Sequence, residues 1–296
     1  MSNSKIYTII SFVFIYVIWG STYLLNKIVV SEISPLYLSS LRFLIAGILI
    51  IIISVFLKRS LRITIKQLKN SFIAGFLFLV YGNGVFVWGL KYVDSGFAAL
   101  LASTQPLFIL LLMRLIDRKK MQLKSVIGVS LGVFGMYLLV SQELVTSKSA
   151  SFIGIVIILT CVLSWSLGSL FVSKVDLPKD YFVSTGYQML TAGLTLLFSS
   201  FCIGEIWKSP LAWTIPSQWS FLLLVFFGSI AAFTAFNYLL KNVSPEKVSS
   251  FAYVNPVVAM VLGWYVLDEQ ISTQSVVASL ILLTGVYFIN SRKRID

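Results

Sequence analysis

Two prolines stand where recognition chemistry could be done. Pro106 and Pro256 each fall near the middle of a long apolar stretch, and each follows a side-chain amide, Gln105 and Asn255. A proline inside a helix removes a backbone donor and clashes with the carbonyl four residues earlier, here those of Ala102 and Ala252. In hydrocarbon such carbonyls and amides need partners from protein, water or ligand. Further polar and aromatic groups lie in neighbouring apolar stretches. Trp19, Thr22 and Asn26 recur at helical spacing with Ser21 beside them; Tyr81, Asn83 and Trp88 mark a second stretch, Trp165 and Ser166 a third, Thr234, Asn237 and Tyr238 a fourth, and Tyr253 adjoins Asn255. A pocket built from them is aromatic-walled and neutral, with amide and hydroxyl hydrogen bonds. It suits a small amphipathic metabolite, such as an amino acid with an apolar side chain. The plainer alternative is satisfied kinks, helix–helix glue and interfacial aromatic belts.

Arg42 lies eight residues into the second apolar stretch. A charge there costs roughly 2.5–3.5 kcal/mol on insertion scales, so something must offset it. Snorkelling, capping carbonyls of a neighbouring helix and binding a substrate carboxylate are all open. The acidic residues avoid the spans: Glu32, Asp94, Asp117, Glu143, Asp176, Asp180, Glu205, Glu246, Asp268, Glu269 and Asp296 fall in loops or at helix ends. Proton-coupled carriers commonly use an intramembrane Asp, Glu or His, and divalent-metal carriers need oxygen or imidazole ligands. The chain has no histidine, which excludes a Ser-His-Asp triad and a His proton relay. No Walker motif is present. Cys161 and Cys202 sit in apolar runs and read as small apolar side chains. The expectation is a protein with no catalytic residues, metal or cofactor, and not an enzyme.

The elements that position these groups follow from composition. Of 296 residues, 58% are hydrophobic and 11% charged, against about 45–50% and about 25% in soluble domains. Stretches of about 20 mostly apolar residues are long enough to span a bilayer. Ten such stretches occur: 6–26, 35–57, 71–92, 96–116, 123–140, 152–172, 181–203, 219–240, 248–267 and 275–289. The first reads as a retained helix, since no small-residue cleavage site follows it. The longest connections are 58–70 and 204–218; the latter, with Trp207, Trp213 and Trp219, reads as an interfacial loop with aromatic anchors.

The net charge of +12 is explained by topology. With both termini cytoplasmic, 18 basic residues fall inside and 4 outside, the remaining one being Arg42; this is the positive-inside pattern for ten spans. It removes the need to invoke nucleic acid.

A repeat is visible. An offset of 150 places Pro106 on Pro256, Ala102 on Ala252, Lys91 on Lys241, Ser125 on Ser275, Gly135 on Gly285 and Tyr137 on Tyr287; an offset of 146 places Trp19 on Trp165 and Arg42 on Gln188. The unit has five helices. Five is odd, so the second copy starts on the opposite side, giving an inverted repeat with substrate bound near the midplane. The expected division is 1–140, a linker at 141–150, and 151–296. Gly128, Gly132 and Gly135 form a small-residue face in the fifth helix, suited to packing within the monomer or against a second subunit.

These residues carry a resemblance. Trp19-Gly20-Ser21-Thr22-Tyr23, Ser34-Pro35 followed by Leu41-Arg42-Phe43, the paired Gln105-Pro106 and Asn255-Pro256, and Asp268-Glu269 together resemble the drug/metabolite transporter superfamily, in its EamA-type branch. Asp117-Arg118 departs from the pattern in the first repeat. The resemblance covers the whole chain. It implies ten helices in two inverted repeats, a central cavity, and export of amino acids or related metabolites across a bacterial cytoplasmic membrane, as in amino-acid exporters of the YddG type. The leading reading is a non-ATP exporter of small metabolites acting by alternating access. Proline-bearing helices would supply the gating. Coupling through Arg42 or a rim carboxylate such as Glu32, Asp94 or Glu269 is open. Alternatives are a carrier for hydrophobic drugs or for uptake, and a membrane scaffold. The expected partners are a small-molecule substrate and the lipid bilayer, without nucleic acid, in a monomer or a dimer.

Overall fold

The computed structural model describes residues 3–117, 123–146, 149–243, 248 and 251–290. The described residues are helical, without strands. The helices are α1 (Ile6–Val30), α2 (Pro35–Phe56), α3 (Ile65–Gly89), α4 (Ser95–Ile116), α5 (Leu123–Thr146), α6 (Ser149–Val172), α7 (Tyr181–Cys202), α8 (Ile215–Asn242), α9 (Phe251–Leu267) and α10 (Thr273–Asn290). Among the described residues, α1, α2, α3, α4, α6 and α8 are long and apolar enough to cross a bilayer, and shorter apolar runs occupy α5, α9 and α10. Helix α7 has 22 residues; its Ser184, Thr185, Gln188, Thr191, Thr195, Ser199 and Ser200 lower its hydropathy. The outer surface is apolar: Phe56 is 81% exposed, Leu115 75% and Phe201 71%. Side chains of this kind belong against lipid.

Local signals set the boundaries. Pro35 opens α2 in its first turn, where its fixed φ suits a helix and its missing donor is not needed. Helix α3 begins six residues before its apolar run because Thr64 and Gln67 form a capping box, with bonds of 3.1 and 3.2 Å. Asp180 caps α7 by accepting from the Phe182 and Val183 amides. Helices α2 and α7 end alike. Lys58 (φ 54°) and Gly204 (φ 71°) take the left-handed conformation, and Arg59 and Glu205 return their amides to Ser54 and Ser200, a Schellman closure. The offset of 146 relates these two ends as well.

Among the described residues, four helices are interrupted. Helix α1 is π-helical over Phe14–Ile18, α3 over Phe76–Val85 and α8 over Leu224–Ala231. Helix α4 breaks at Ser103–Thr104, just before Gln105-Pro106, and the two hydroxyls there donate to Leu100 and Leu101 carbonyls at 2.7 and 2.6 Å. Helix α9 runs unbroken through Pro256. The two prolines therefore sit in different local structures.

Packing pairs the two halves of the chain. Helix α2 lies along α7 and α5 along α10, the two most extensive helix contacts. The π-helical part of α3 packs on α6, and α9 on α1 and α4. The glycine face of α5 is spent within the chain: a Cβ on Gly132 would meet Leu107 at 2.5 Å, and one on Gly135 would meet the Leu282 nitrogen at 2.9 Å. In the connection after α7, Trp207 stacks on Tyr37 at 5.5 Å, whereas Trp213 turns inward, buried edge-on to Phe221. Trp213 is thus a packing residue, and Trp219, 63% exposed, is the outward one.

Candidate functional site

A cavity of about 760 Å³, counted to its open mouth, lies between the two halves. Helices α1, α2, α3, α4, α6, α8 and α9 all line it. Of the sequence candidates, Trp19, Thr22, Asn26, Arg42, Asn83, Gln105, Trp165 and Asn255 come together here.

The wall is aromatic. Trp19 and Trp165, the pair related by the 146 offset, meet edge-on with centroids 5.6 Å apart. Phe251 stands edge-on to Trp19 at 5.3 Å, and Phe78 and Phe236 close the cluster behind. The Trp19 indole donates to the Gly228 carbonyl at 3.2 Å. The Trp165 indole nitrogen is buried and has no hydrogen-bond partner among the described residues. The amide of Asn255, assigned in the orientation that satisfies both of its atoms, donates to the Tyr16 and Ile15 carbonyls at 2.8 and 3.1 Å. Those carbonyls lie in the π-helical part of α1, where helical hydrogen bonding is irregular.

Arg42 is 3% exposed. Its Nε donates to Ser229 Oγ at 2.7 Å, and Nη1 reaches Asn26 Oδ1 at 3.4 Å and Asn83 Oδ1 at 3.5 Å. Its guanidinium carbon lies 5.1 Å from the Phe43 ring centre. Gly228 lets it in: a Cβ there would stand 3.1 Å from Nη2 and 2.9 Å from Thr22 Cγ2.

The remaining candidates are placed apart from the cavity lining. Ser21 donates to the Ile18 carbonyl at 2.7 Å, and Tyr81 donates to Thr160 Oγ1 at 3.3 Å. Ser166 bonds the Val162 carbonyl at 2.8 Å and reaches that of Gln105 at 3.5 Å, so it backs the α4 break. Asn237 donates to Thr185 at 2.9 Å, and Tyr238 packs edge-on to Tyr181. Trp88 is half-buried outside the lining. The Tyr253 side chain lies outside the described residues. Pro106 and Pro256 each follow a lining amide.

Other lining residues, among them Tyr23, Phe86, Ser229, Phe233 and Phe251, are not sequence candidates. Helical spacing leads to some of them: Phe86 is three residues after Asn83, and Phe251 four before Asn255. Ser229 is found only through the partner that Arg42 requires.

At one end of the bundle, carboxylates of the second half hold helix starts of the first. Glu205 accepts from the Leu36 and Tyr37 amides at 3.1 and 2.7 Å. Glu269 accepts from the Ser95 and Gly96 amides and from the Ser95 hydroxyl. Glu32 pairs with Lys208 and accepts from Thr214. The hydrogen bond from Lys208 foremost holds the Glu32 pKa down at about 2. Burial first and the Glu269 charge second push the Asp94 pKa up from its ordinary value, against the pull of Lys27. At the other end, Arg59 pairs with Asp180, and Gln67 and Asn70 bind Asp176.

Relatives agree with a transport protein. The inner membrane transporter YedA of Escherichia coli (strain K12) is 38% identical over 254 residues, covering 84% of this chain and 79% of that protein. The transporter YoaV of Bacillus subtilis (strain 168) is 26% identical over 94% of this chain and 96% of its own length. A crystal structure with 18% sequence identity superposes with a TM-score of 0.70 over 96% of both chains, which shows a shared fold. The EamA-like transporter family matches residues 6–141 and again 152–291. With both matches together spanning nearly all of the sequence, this chain, a multi-pass membrane protein, belongs to the EamA-like transporter family.

Proposed function

We propose that this chain is a secondary, non-ATP exporter of small amphipathic metabolites, foremost amino acids with aromatic or other neutral side chains. It works by alternating access across ten spans, built as two inverted five-helix repeats with both termini cytoplasmic. The observation that carries this reading is the cavity: aromatic-walled, edged with amides, and lined by helices of both halves. The repeat is supported by the double family match, by the α2–α7 and α5–α10 pairing, and by the related ends of α2 and α7. The orientation is supported by the 18-to-4 basic distribution.

The test is efflux of a labelled amino-acid panel from liposomes carrying the purified protein, with and without a pH gradient. Selective efflux of aromatic or branched amino acids is the expected result. Movement of none of them under either condition overturns the substrate class and turns attention to hydrophobic drugs or uptake. Orientation is tested separately. A reporter after Asp296 should score cytoplasmic, and a tag at 143–148 should be reached from outside; an external C-terminus overturns the topology.

A further inference from the structure

Arg42 is buried, charged and incompletely satisfied. A guanidinium carries five N–H donors. Nε is used well, by Ser229, and Nη1 makes two long contacts to neutral side-chain amides, Asn26 and Asn83. Among the described residues, Nη2 donates to nothing and no carboxylate lies within ion-pair distance of the group. A snorkelled head group would be exposed, yet this residue is 3% exposed and lines the cavity. A guanidinium capping a neighbouring helix would donate to its carbonyls, yet each partner here is a side-chain oxygen. The position aligned with Arg42 in the second half is Gln188, buried away from the cavity lining, so the cavity receives the cation from one side.

A buried cation with free donors favours a planar anion that it can grip through two N–H groups. We infer that Arg42 is a substrate-binding residue and that its ligand is the carboxylate of the transported molecule, whose apolar body lies against Trp19, Trp165 and Phe251. This deepens the exporter reading and rests on it. A carboxylate becomes the required feature of the substrate. A compound with the same body but a neutral or cationic head leaves the guanidinium unpaired.

The experiment measures binding of four probes to the purified protein: phenylalanine, 3-phenylpropionate, phenylalaninamide and phenethylamine. It is repeated on R42K and R42Q. The two acids are expected to bind roughly tenfold to a hundredfold tighter than the amide and the amine. R42Q should erase that preference, and R42K should keep part of it. Equal binding of acids and their non-acid analogues by the unsubstituted protein overturns the assignment, and this arm needs no variant that must fold. Retention of the full preference in R42Q overturns it also. If the amide and amine bind as well as the acids and are transported, the exporter reading stands and the arginine assignment falls. If none of the four binds, the substrate reading falls and the assignment falls with it.

Discussion

Glu269 holds Ser95 at two points: one carboxylate oxygen accepts the Ser95 amide at 2.8 Å, and the other accepts its hydroxyl at 2.9 Å. The contact ties the end of α9 to the start of α4. Asp268 makes it reachable, since its φ of 53° folds the chain back after α9. Gly263 leaves the room, for a Cβ there would collide with Glu269 Oε2. Carboxylates at helix N-termini gain from the helix dipole and from charge-assisted bonds. E269A is expected to cost about 1–3 kcal/mol, and E269Q less, seen as a lower Tm in detergent. An unchanged Tm in both would show that the tie contributes nothing to stability.

Asp94 occupies the N-cap position of α4 but makes no capping bond, and Glu269 accepts the Ser95 and Gly96 amides there instead. Its pKa is raised above 3.8. A carboxyl raised in the folded state binds protons there more tightly, so its ionised form destabilises the fold. The penalty is absent below about pH 4 and grows as pH rises through the folded pKa. D94N should therefore raise Tm at pH 7, with the gain closing toward pH 4. A gain that persisted at pH 4 would point to packing rather than charge.

Gly228 is where Trp19, Thr22 and Arg42 meet. It accepts from the indole of Trp19 and gives space to the other two side chains. G228A would press a methyl into Thr22 and the guanidinium. Overpacking of this kind costs about 1–3 kcal/mol, so transport should fall several-fold or more while membrane abundance holds. Liposome efflux normalised to reconstituted protein reads this directly, and G228A with full activity would mean that Arg42 can move aside freely.

Trp165 carries a buried indole N–H with no partner among the described residues, a cost of roughly 1–3 kcal/mol. W165F keeps most of the aromatic wall and removes the orphan donor. Tm without substrate should rise, because the substitution removes a buried donor that has no partner among the described residues. An unchanged or lower Tm in W165F would show that the orphan donor costs the fold nothing.

Much of the cavity is legible in the sequence because polar residues are rare in the apolar stretches. Trp19, Asn26, Asn83, Gln105 and Asn255 stand out for that reason. The irregular backbone is less legible. Pro106 and Pro256 look alike as letters, yet α4 breaks and α9 continues. Thr104 supplies a hydroxyl that caps the broken end, whereas Val254, aligned with it, offers none. The π-helical parts of α1, α3 and α8 have no marker in composition, since the extra residue per turn depends on tertiary packing. Asn237, four residues after the lining Phe233, shares the helical spacing of the lining but turns to Thr185, because period alone does not fix which buried face meets the cavity.

The interrupted helices α1, α3, α4 and α8 all border the cavity, while α2, α7, α5 and α10, which form the two longest inter-helix contacts, are continuous. Regular hydrogen bonding makes a helix stiff along its axis, and bulges and breaks are where it yields. In mechanical terms the molecule separates its columns from its joints. A push on the rim where Glu205 clamps the start of α2 enters a straight member, whereas one where Glu269 clamps the start of α4 enters a broken one and is taken up as bending beside the cavity.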